Sequence, residues 1–355
     1  MTTEVARPDR SFWSGRRVLV TGHTGFKGSW LVLWLNAMGA EVHGFSTPPP
    51  TEPSLFALAG VANHVRHHEG DVRDAGAVRD AVADARPEVL IHMAAQALVR
   101  RSYAEPALTY ETNVMGTINV LEAAREVPVV VNVTTDKVYE NHGVERGYRE
   151  DEPLGGHDPY SSSKAGSELV TAAYRSSFGL RVASARAGNV IGGGDFAQDR
   201  LVPDAVRAVC SGEALLVRNP DALRPWQHVL NPLSGYLVLA QRLWDDDAAA
   251  EAFNFGPADA ERRRVREVLD ELVRGWDGAL RWEQDPGSHP HEAQTLHLDS
   301  TRARERLGWT PAWDLDRALD AVVEWTRAWR EGEKVDDTTL RQIAAFERDA
   351  SALQH

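Results

Sequence analysis

The 355-residue chain is 43% apolar and 26% charged, the balance of a water-soluble globular protein long enough to bury a sizeable core. A formal net charge of −13 leaves no basic excess to displace counterions from a polyanion, which argues against nucleic acid as a main partner. The one cysteine, Cys210, excludes an intramolecular disulfide and a thiolate zinc site and fits a cytoplasmic setting. No stretch has the apolar length of a membrane span, and the opening MTTEVARPDRSFWSGRR lacks the apolar run of a secretory signal.

Apolar runs alternate with amphipathic ones through the first half. Strands are expected at 16–21, 41–45, 64–69, 88–93, 129–135 and 181–187. Helices are expected at 27–38, ended by Gly39, and at 75–85, 106–125 and 159–177. Asp158 suits the N-cap of the last of these and Pro159 its first turn. Nearly all-apolar strands alternating with helices predict an α/β fold, a doubly wound parallel sheet of the Rossmann kind covered on both faces. After Gly192 the rhythm breaks. Segments 192–195 and 218–228 read as loops, 252–256 as a strand, and 263–276 and 315–329 as helices. The expected division is a dinucleotide-binding domain of residues 1–194 and 229–258, interleaved with a smaller substrate-binding lobe of residues 195–228 and 259–355.

The first strand runs into Gly22-His-Thr-Gly25-Phe-Lys-Gly28 and then a helix. Glycines in a strand–turn–helix context let the backbone approach a pyrophosphate at the helix N-terminus, where unpaired N–H groups favour anions. This places Gly22, Thr24, Gly25, Phe26, Lys27 and Gly28 at a cofactor. No acid for a ribose hydroxyl and no arginine for a 2′-phosphate ends the second strand (Gly44-Phe-Ser-Thr-Pro48), so the residues alone do not choose NAD over NADP. Asp71, followed by Val72, reads equally as an adenine-side contact or a turn residue before a helix.

Tyr160 and Lys164 begin the helix after the fifth strand, and their i,i+4 spacing sets phenol and ammonium on one face. A phenol ionises near ~10, so a basic Tyr160 must be acidified, and a neighbouring cation does this. It then accepts a hydroxyl proton as hydride leaves the adjoining carbon. Thr135, Asp136 and Lys137 close the fifth strand, where the carboxyl ends of parallel strands open onto the ligand crevice.

Taken together, GHTGFKGSW, TTDKVYEN, DPYSSSK, RAGNVIGGGD and RPWQHV resemble the CDP-glucose 4,6-dehydratases, extended short-chain dehydrogenase/reductases, over roughly residues 12–329. The resemblance implies a hydro-lyase that converts CDP-glucose to the CDP-4-keto-6-deoxy sugar on one retained NAD, for deoxysugar biosynthesis. It implies a homodimer. It assigns Tyr160, with Lys164, as the base at the sugar 4-hydroxyl, Thr135 as that hydroxyl's ligand, and Asp136 as the acid for the departing C6 oxygen. Lys137 stands where thymidine-linked relatives carry a glutamate and is assigned as the C5 base. Thr135 and Val138 replace the Ser and Cys of many members, which are mild changes.

The resemblance further places Ala94, Ala95 and Gln96 along the cofactor, Asn113 as a structural or cofactor contact, and Asn189, Arg200, Arg218, Arg224, His228 and His291 around the sugar diphosphate. His289, His291 and Glu292 have no zinc-motif spacing, and no metal is expected. The competing readings are another nucleotide-sugar 4,6-dehydratase, a sugar-nucleotide epimerase or reductase, for which Asp136-Lys137 would have no task, and a non-catalytic cofactor-binding regulator, against which the intact Tyr160–Lys164 pair argues.

Overall fold

The computed structural model describes residues 5–144, 146–258, 261–287 and 296–353. Its centre is a seven-stranded sheet: β1 (Arg17–Thr21), β2 (Glu41–Ser46), β3 (Arg66–Glu69), β4 (Val89–His92), β5 (Val129–Thr134), β6 (Val182–Arg186) and β7 (Ala252–Asn254). All neighbours pair in parallel, in the order β7-β6-β5-β4-β1-β2-β3. Chain order reverses between β1 and β4, so the crevice opens at their carboxyl ends. β1, β4 and β5 are buried through almost their whole length, which is why they read as unbroken apolar runs.

The flanking helices follow their caps. Helix α1 (Phe26–Ala37) begins at Gly25 and buries an unbroken run from Gly28 to Leu35. Helix α2 (Ala75–Ala85) is capped by Asp74, which accepts from the Gly76 and Ala77 N–H groups. The expected helix at 106–125 is divided into Pro106–Tyr110, a widened turn at Glu111–Met115, and α3 (Gly116–Ala123). Gly116 lies against Val72, where an added β-carbon would stand 2.7 Å from the valine side chain. Helix α4 (Pro159–Phe178) has the predicted cap, Asp158 accepting from Ser161 N at 3.0 Å, and stops at Gly179 in the left-handed region.

Beyond β6 the sequence reading missed α5 (Leu201–Ser211) and α6 (Leu230–Asp245) and placed α7 (Val265–Gly275) and α8 (Leu315–Arg330) to within two residues at each end. It also missed α9 (Val335–Ala352). The segment expected as a loop at 218–228 contains two-residue strands, Leu223–Arg224 and Gln227–His228. Two large apolar clusters result. One covers one face of the sheet and takes in Trp34, Tyr236, Trp325 and, from α9, Ile343 and Phe346. The other joins α5, α7 and α8 through Val206, Leu269 and Leu319. The terminal helix therefore packs on α1 and α8, with Trp34 of α1 edge-on to Phe346 at 5.6 Å and Trp325 Nε1 of α8 donating to Thr339 Oγ1 at 3.0 Å. No described helix is long and apolar enough to cross a membrane.

Candidate active site

The glycine turn after β1 is built for close approach. Gly22 has φ of +75°, and a β-carbon there would sit 2.7 Å from Ala94 N. One on Gly28 would fall 2.3 Å from Gly22 O, so only glycine lets α1 start against the turn. No side chain caps α1, which leaves its first N–H groups directed out of the helix end. Thr24 ties the turn to the end of β2, with its Oγ1 2.7 Å from Ser46 Oγ and donating to Thr47 O at 2.9 Å. A cradle that a β-carbon would fill, at an uncapped helix N-terminus, fits a dinucleotide pyrophosphate.

The opposite wall is the loop after β4. Ala94 and Ala95 are half-buried, and Gln96 is buried. Asn113, buried in the widened turn, accepts from Gln96 N at 2.8 Å and donates to Gln96 O at 3.0 Å and Ser163 Oγ at 2.8 Å. Ser163 in turn donates to Tyr160 O at 2.7 Å. One asparagine thus fixes both the cofactor-side loop and the first turn of α4.

Tyr160 and Lys164 are both buried, on the inward face of α4. Burial pushes the Tyr160 phenol up to about 12, opposed by the neighbouring Thr135 hydroxyl and the Arg200 charge. The sequence reading expected an acidified phenol beside the Lys164 cation, and the protein alone does not supply this. Lys164 Nζ donates to Val133 O at 3.1 Å, and burial pulls the amine down to about 8, so its own positive charge is weakened. Glu168, one turn further along α4, opposes that fall. It is held by Arg186 through two contacts of 3.0 and 3.1 Å and accepts from Thr134 Oγ1 at 2.5 Å. Sequence reasoning missed Glu168 and Arg186. The available signal was an acid at i+4 from Lys164 on a face that also carries Tyr160.

Facing α4, Thr135 Oγ1 donates to Asp136 Oδ1 at 2.8 Å, and Asn189 Nδ2 donates to Asp136 Oδ2 at 3.3 Å. Asp136 is buried, and Lys137 is half-buried. Lys27 reaches the same crevice from α1. Its Nζ donates to Tyr236 OH at 2.9 Å, and burial with the neighbouring Lys164 and Arg200 charges pulls it down to about 7. Lys27, Asp136, Tyr160, Lys164 and Arg200 are therefore one electrostatic group.

The Asp71 carboxylate accepts from Arg73 N at 2.9 Å and pairs with the Arg73 guanidinium at 2.7 Å, which holds it below its ordinary value. Val72 is buried. His228 is fully buried between Trp30 and Trp313, with ring centroids at 5.7 and 4.8 Å, and burial pulls it down to about 3. The fold does not bring it to the crevice surface. Arg218 is close enough to Asp204 of α5 to oppose that carboxyl's rise, and Arg224 lies in a short antiparallel pair with Arg263. His291, with His289 and Glu292, lies outside the described residues.

The model of the GDP-mannose 4,6 dehydratase family matches residues 19–322. The chain is 48% identical, over 351 residues, to the CDP-glucose 4,6-dehydratase of Salmonella typhimurium, covering 95% of this chain and 98% of that protein. Among solved structures it resembles the dTDP-glucose 4,6-dehydratase of Streptomyces venezuelae with NAD and TYD bound, at TM-score 0.76 and 28% identity, covering 90% of this chain and 99% of that one. It also resembles the UDP-glucose 4-epimerase of Thermus thermophilus in complex with NAD, at TM-score 0.76 and 27% identity, covering 88% of this chain and 99% of that one.

Proposed function

This chain belongs to the GDP-mannose 4,6 dehydratase family, and from that premise we propose that it is an NAD-dependent CDP-glucose 4,6-dehydratase, a hydro-lyase of deoxysugar biosynthesis. The near-full-length likeness to the Salmonella typhimurium enzyme supports the substrate. The observation that carries the reaction is the buried Asp136 carboxyl, hydrogen-bonded to Thr135 and Asn189 in the same crevice as Tyr160. Epimerisation at C4 needs the phenol but no acid at a departing oxygen; dehydration needs both.

The glycine turn, the N-terminus of α1 and the Ala94–Gln96 loop would hold the cofactor, with Thr24 and Lys27 at its edge. Bound there, NAD would supply a transient acceptor for the sugar's hydride and its donor at the end of the turnover, so no net oxidant would be consumed. The protein moves the protons. Tyr160 accepts the 4-hydroxyl proton, with Thr135 holding the hydroxyl and the Arg200 charge favouring phenolate. The 4-ketone so formed acidifies C5–H, whose proton passes to Lys137. Asp136, protonated at that stage, gives its proton to O6, which leaves as water, and Lys137 returns its proton to C5 as hydride returns to C6. Asn189, Arg200, Arg218 and Arg224 surround the diphosphate in this reading, guanidinium pairing with phosphate through parallel donors.

The two apolar clusters support an interleaved division into cofactor and substrate lobes, with α9 assigned to the cofactor side by its contacts with the sheet cluster. The reading includes a homodimer. Neighbouring helical segments leave Tyr110, Met115 and Leu169 exposed, large apolar side chains that a partner copy would cover. Leu169→Arg should yield a monomer by light scattering. A cytoplasmic setting belongs to the same proposal and would keep the exposed Cys210 thiol reduced.

Incubation with CDP-glucose tests the activity. A product lighter by one water supports dehydration, and an isomer of unchanged mass sinks it. Comparison with dTDP-, UDP- and GDP-glucose tests the base.

A further inference from the structure

Away from the crevice, strands β2 and β3 and helix α2 bring three ligand-type side chains together. The register pairs His43 with Arg66 and Phe45 with His68, so His43 and His68 lie diagonally on the same face of the sheet. Asp84, near the end of α2, faces them. His43 Nδ1 lies 3.3 Å from His68 Nε2, and His68 Nε2 lies 3.4 Å from Asp84 Oδ2. All three ligand atoms fall within 4.8 Å of one another, the one such trio among the described residues.

The spacing has a chemical meaning. Zinc bound tetrahedrally by imidazole nitrogens and a carboxylate oxygen has bond lengths of about 2.0–2.2 Å, which sets neighbouring ligand atoms about 3.3–3.5 Å apart. Two edges of the trio already have that length. The third, from His43 to Asp84, closes by rotating the Asp84 side chain, which is 41% exposed. The surroundings suit ligation. Glu41 Oε1 lies 3.7 Å from His43 Nε2, the far ring nitrogen, and a carboxylate there favours the tautomer that leaves Nδ1 bare. Arg66 binds the other Asp84 oxygen, Oδ1, at 3.1 Å and leaves Oδ2 turned towards His68. On the opposite face His67 of β3 meets His23 of the glycine turn, Nδ1 to Nε2 at 2.7 Å, a pair with no carboxylate among its hydrogen-bond partners.

We propose that His43, His68 and Asp84 form a binding site for a borderline divalent transition-metal ion, of the zinc, cobalt or nickel class, with water completing the coordination. Two imidazoles and one carboxylate select these ions over magnesium or calcium, which prefer all-oxygen shells. The ion cross-links the edge strand β3 to β2 and α2, just before the Asp71–Val72 turn. It is a structural staple of the cofactor domain and takes no part in the chemistry at Tyr160.

The test uses the full-length, tag-free enzyme stripped with chelator, titrated calorimetrically with zinc chloride and, in parallel, with cobalt(II) read by its visible ligand-field bands. One equivalent of each ion should bind. His68→Ala and Asp84→Asn should each weaken binding by at least about tenfold and abolish the cobalt bands, and Glu41→Gln should weaken it by a similar factor through the tautomer. Zinc should raise the thermal midpoint of the wild type and not that of His68→Ala, while the metal-free variants retain wild-type turnover. Absence of a bound equivalent in the wild type, or binding indifferent to His68→Ala, overturns the proposal; the second result places the ion elsewhere, at Cys210 or the histidines of residues 289–291.

Discussion

Asp136 rests on Gly188: a β-carbon on that glycine would stand 2.1 Å from the carboxylate. The carboxyl group fills the space a side chain would occupy, and Asn189, at φ of +48°, holds it from the next position. Gly188→Ala should therefore displace Asp136 and leave the fold intact. The expected phenotype is a loss of overall dehydration of about 10²-fold or more, the scale of a misplaced general acid. Hydride transfer should survive, so single-turnover mixing with substrate should accumulate the near-ultraviolet absorbance of reduced nicotinamide. Asp136→Asn should behave alike. Equal loss of both half-reactions would remove Asp136 from the elimination step.

Among the described residues, Arg200 is the cation that holds the Tyr160 phenol down against burial. Activity that requires phenolate rises with pH through the phenol's titration. Arg200→Met raises that titration further, so the ascending limb of the kcat profile should move to higher pH. Tyr160→Phe should lose activity by about 10²–10⁴-fold at every pH. An unmoved limb in Arg200→Met would show that another group sets it.

Lys27 and Lys164 ionise at about 7 and about 8 in the folded chain, below the ordinary value of 10.5. Between these limits the unfolded chain binds more protons than the native one, so stability rises with pH. The gain is absent below about pH 7. The raised phenols of Tyr160 and Tyr236 act oppositely above their ordinary value of 10.0, where the unfolded chain sheds protons that the native one keeps. Urea midpoints should therefore climb from pH 7 to pH 10. Lys27→Met should show a flatter climb, and an identical slope would contradict the depressed amine.

Glu168 and Arg186 are an almost fully enclosed ion pair. Replacing one partner strands the other, at a cost of about 3–5 kcal/mol. Glu168→Gln should lower stability on that scale. It also removes the charge that supports the Lys164 ammonium, so turnover should fall even where the variant is fully folded.

Asn113→Ala removes three buried hydrogen bonds that join the Gln96 loop to α4. Destabilisation of about 1–3 kcal/mol is expected. Because the loop lines the cofactor side, the dissociation constant for NAD should rise more than KM for the sugar nucleotide.

Features that depend on local signals were legible in the sequence. Asp158, Pro159 and the glycine turn announce their helices through capping chemistry, and the apolar strands announce a covered parallel sheet. The Tyr160–Lys164 and Thr135–Asp136 groups follow because strand ends in such a sheet share one crevice. What depends on contacts between distant segments was not legible. Glu168 reads as one more helix acid until Arg186 arrives from β6 at 3.0 Å. Gly188 reads as a loop glycine until Asp136 is seen above it. His228 was assigned to the sugar diphosphate, but Trp30 and Trp313, remote in sequence, enclose it. The widened turn at Glu111–Met115 falls inside a stretch read as one continuous helix, although Thr112, Asn113, Val114 and Gly116 are weak helix formers.

The inward face of α4 carries Tyr160, Ser163, Lys164, Ser167, Glu168 and Thr171, all buried and polar. An apolar face can slide or roll by a fraction of a turn with little change in area covered. This one cannot, because Ser163 meets Asn113, Lys164 meets Val133 O, Ser167 and Thr171 both meet Asn132, and Glu168 meets Arg186. Any roll or one-residue slip breaks several of these directional contacts at once. The helix is therefore indexed to the sheet like a ratchet wheel against its pawl, and the bearing of the phenol in the crevice is set by contacts spread over the three turns behind it.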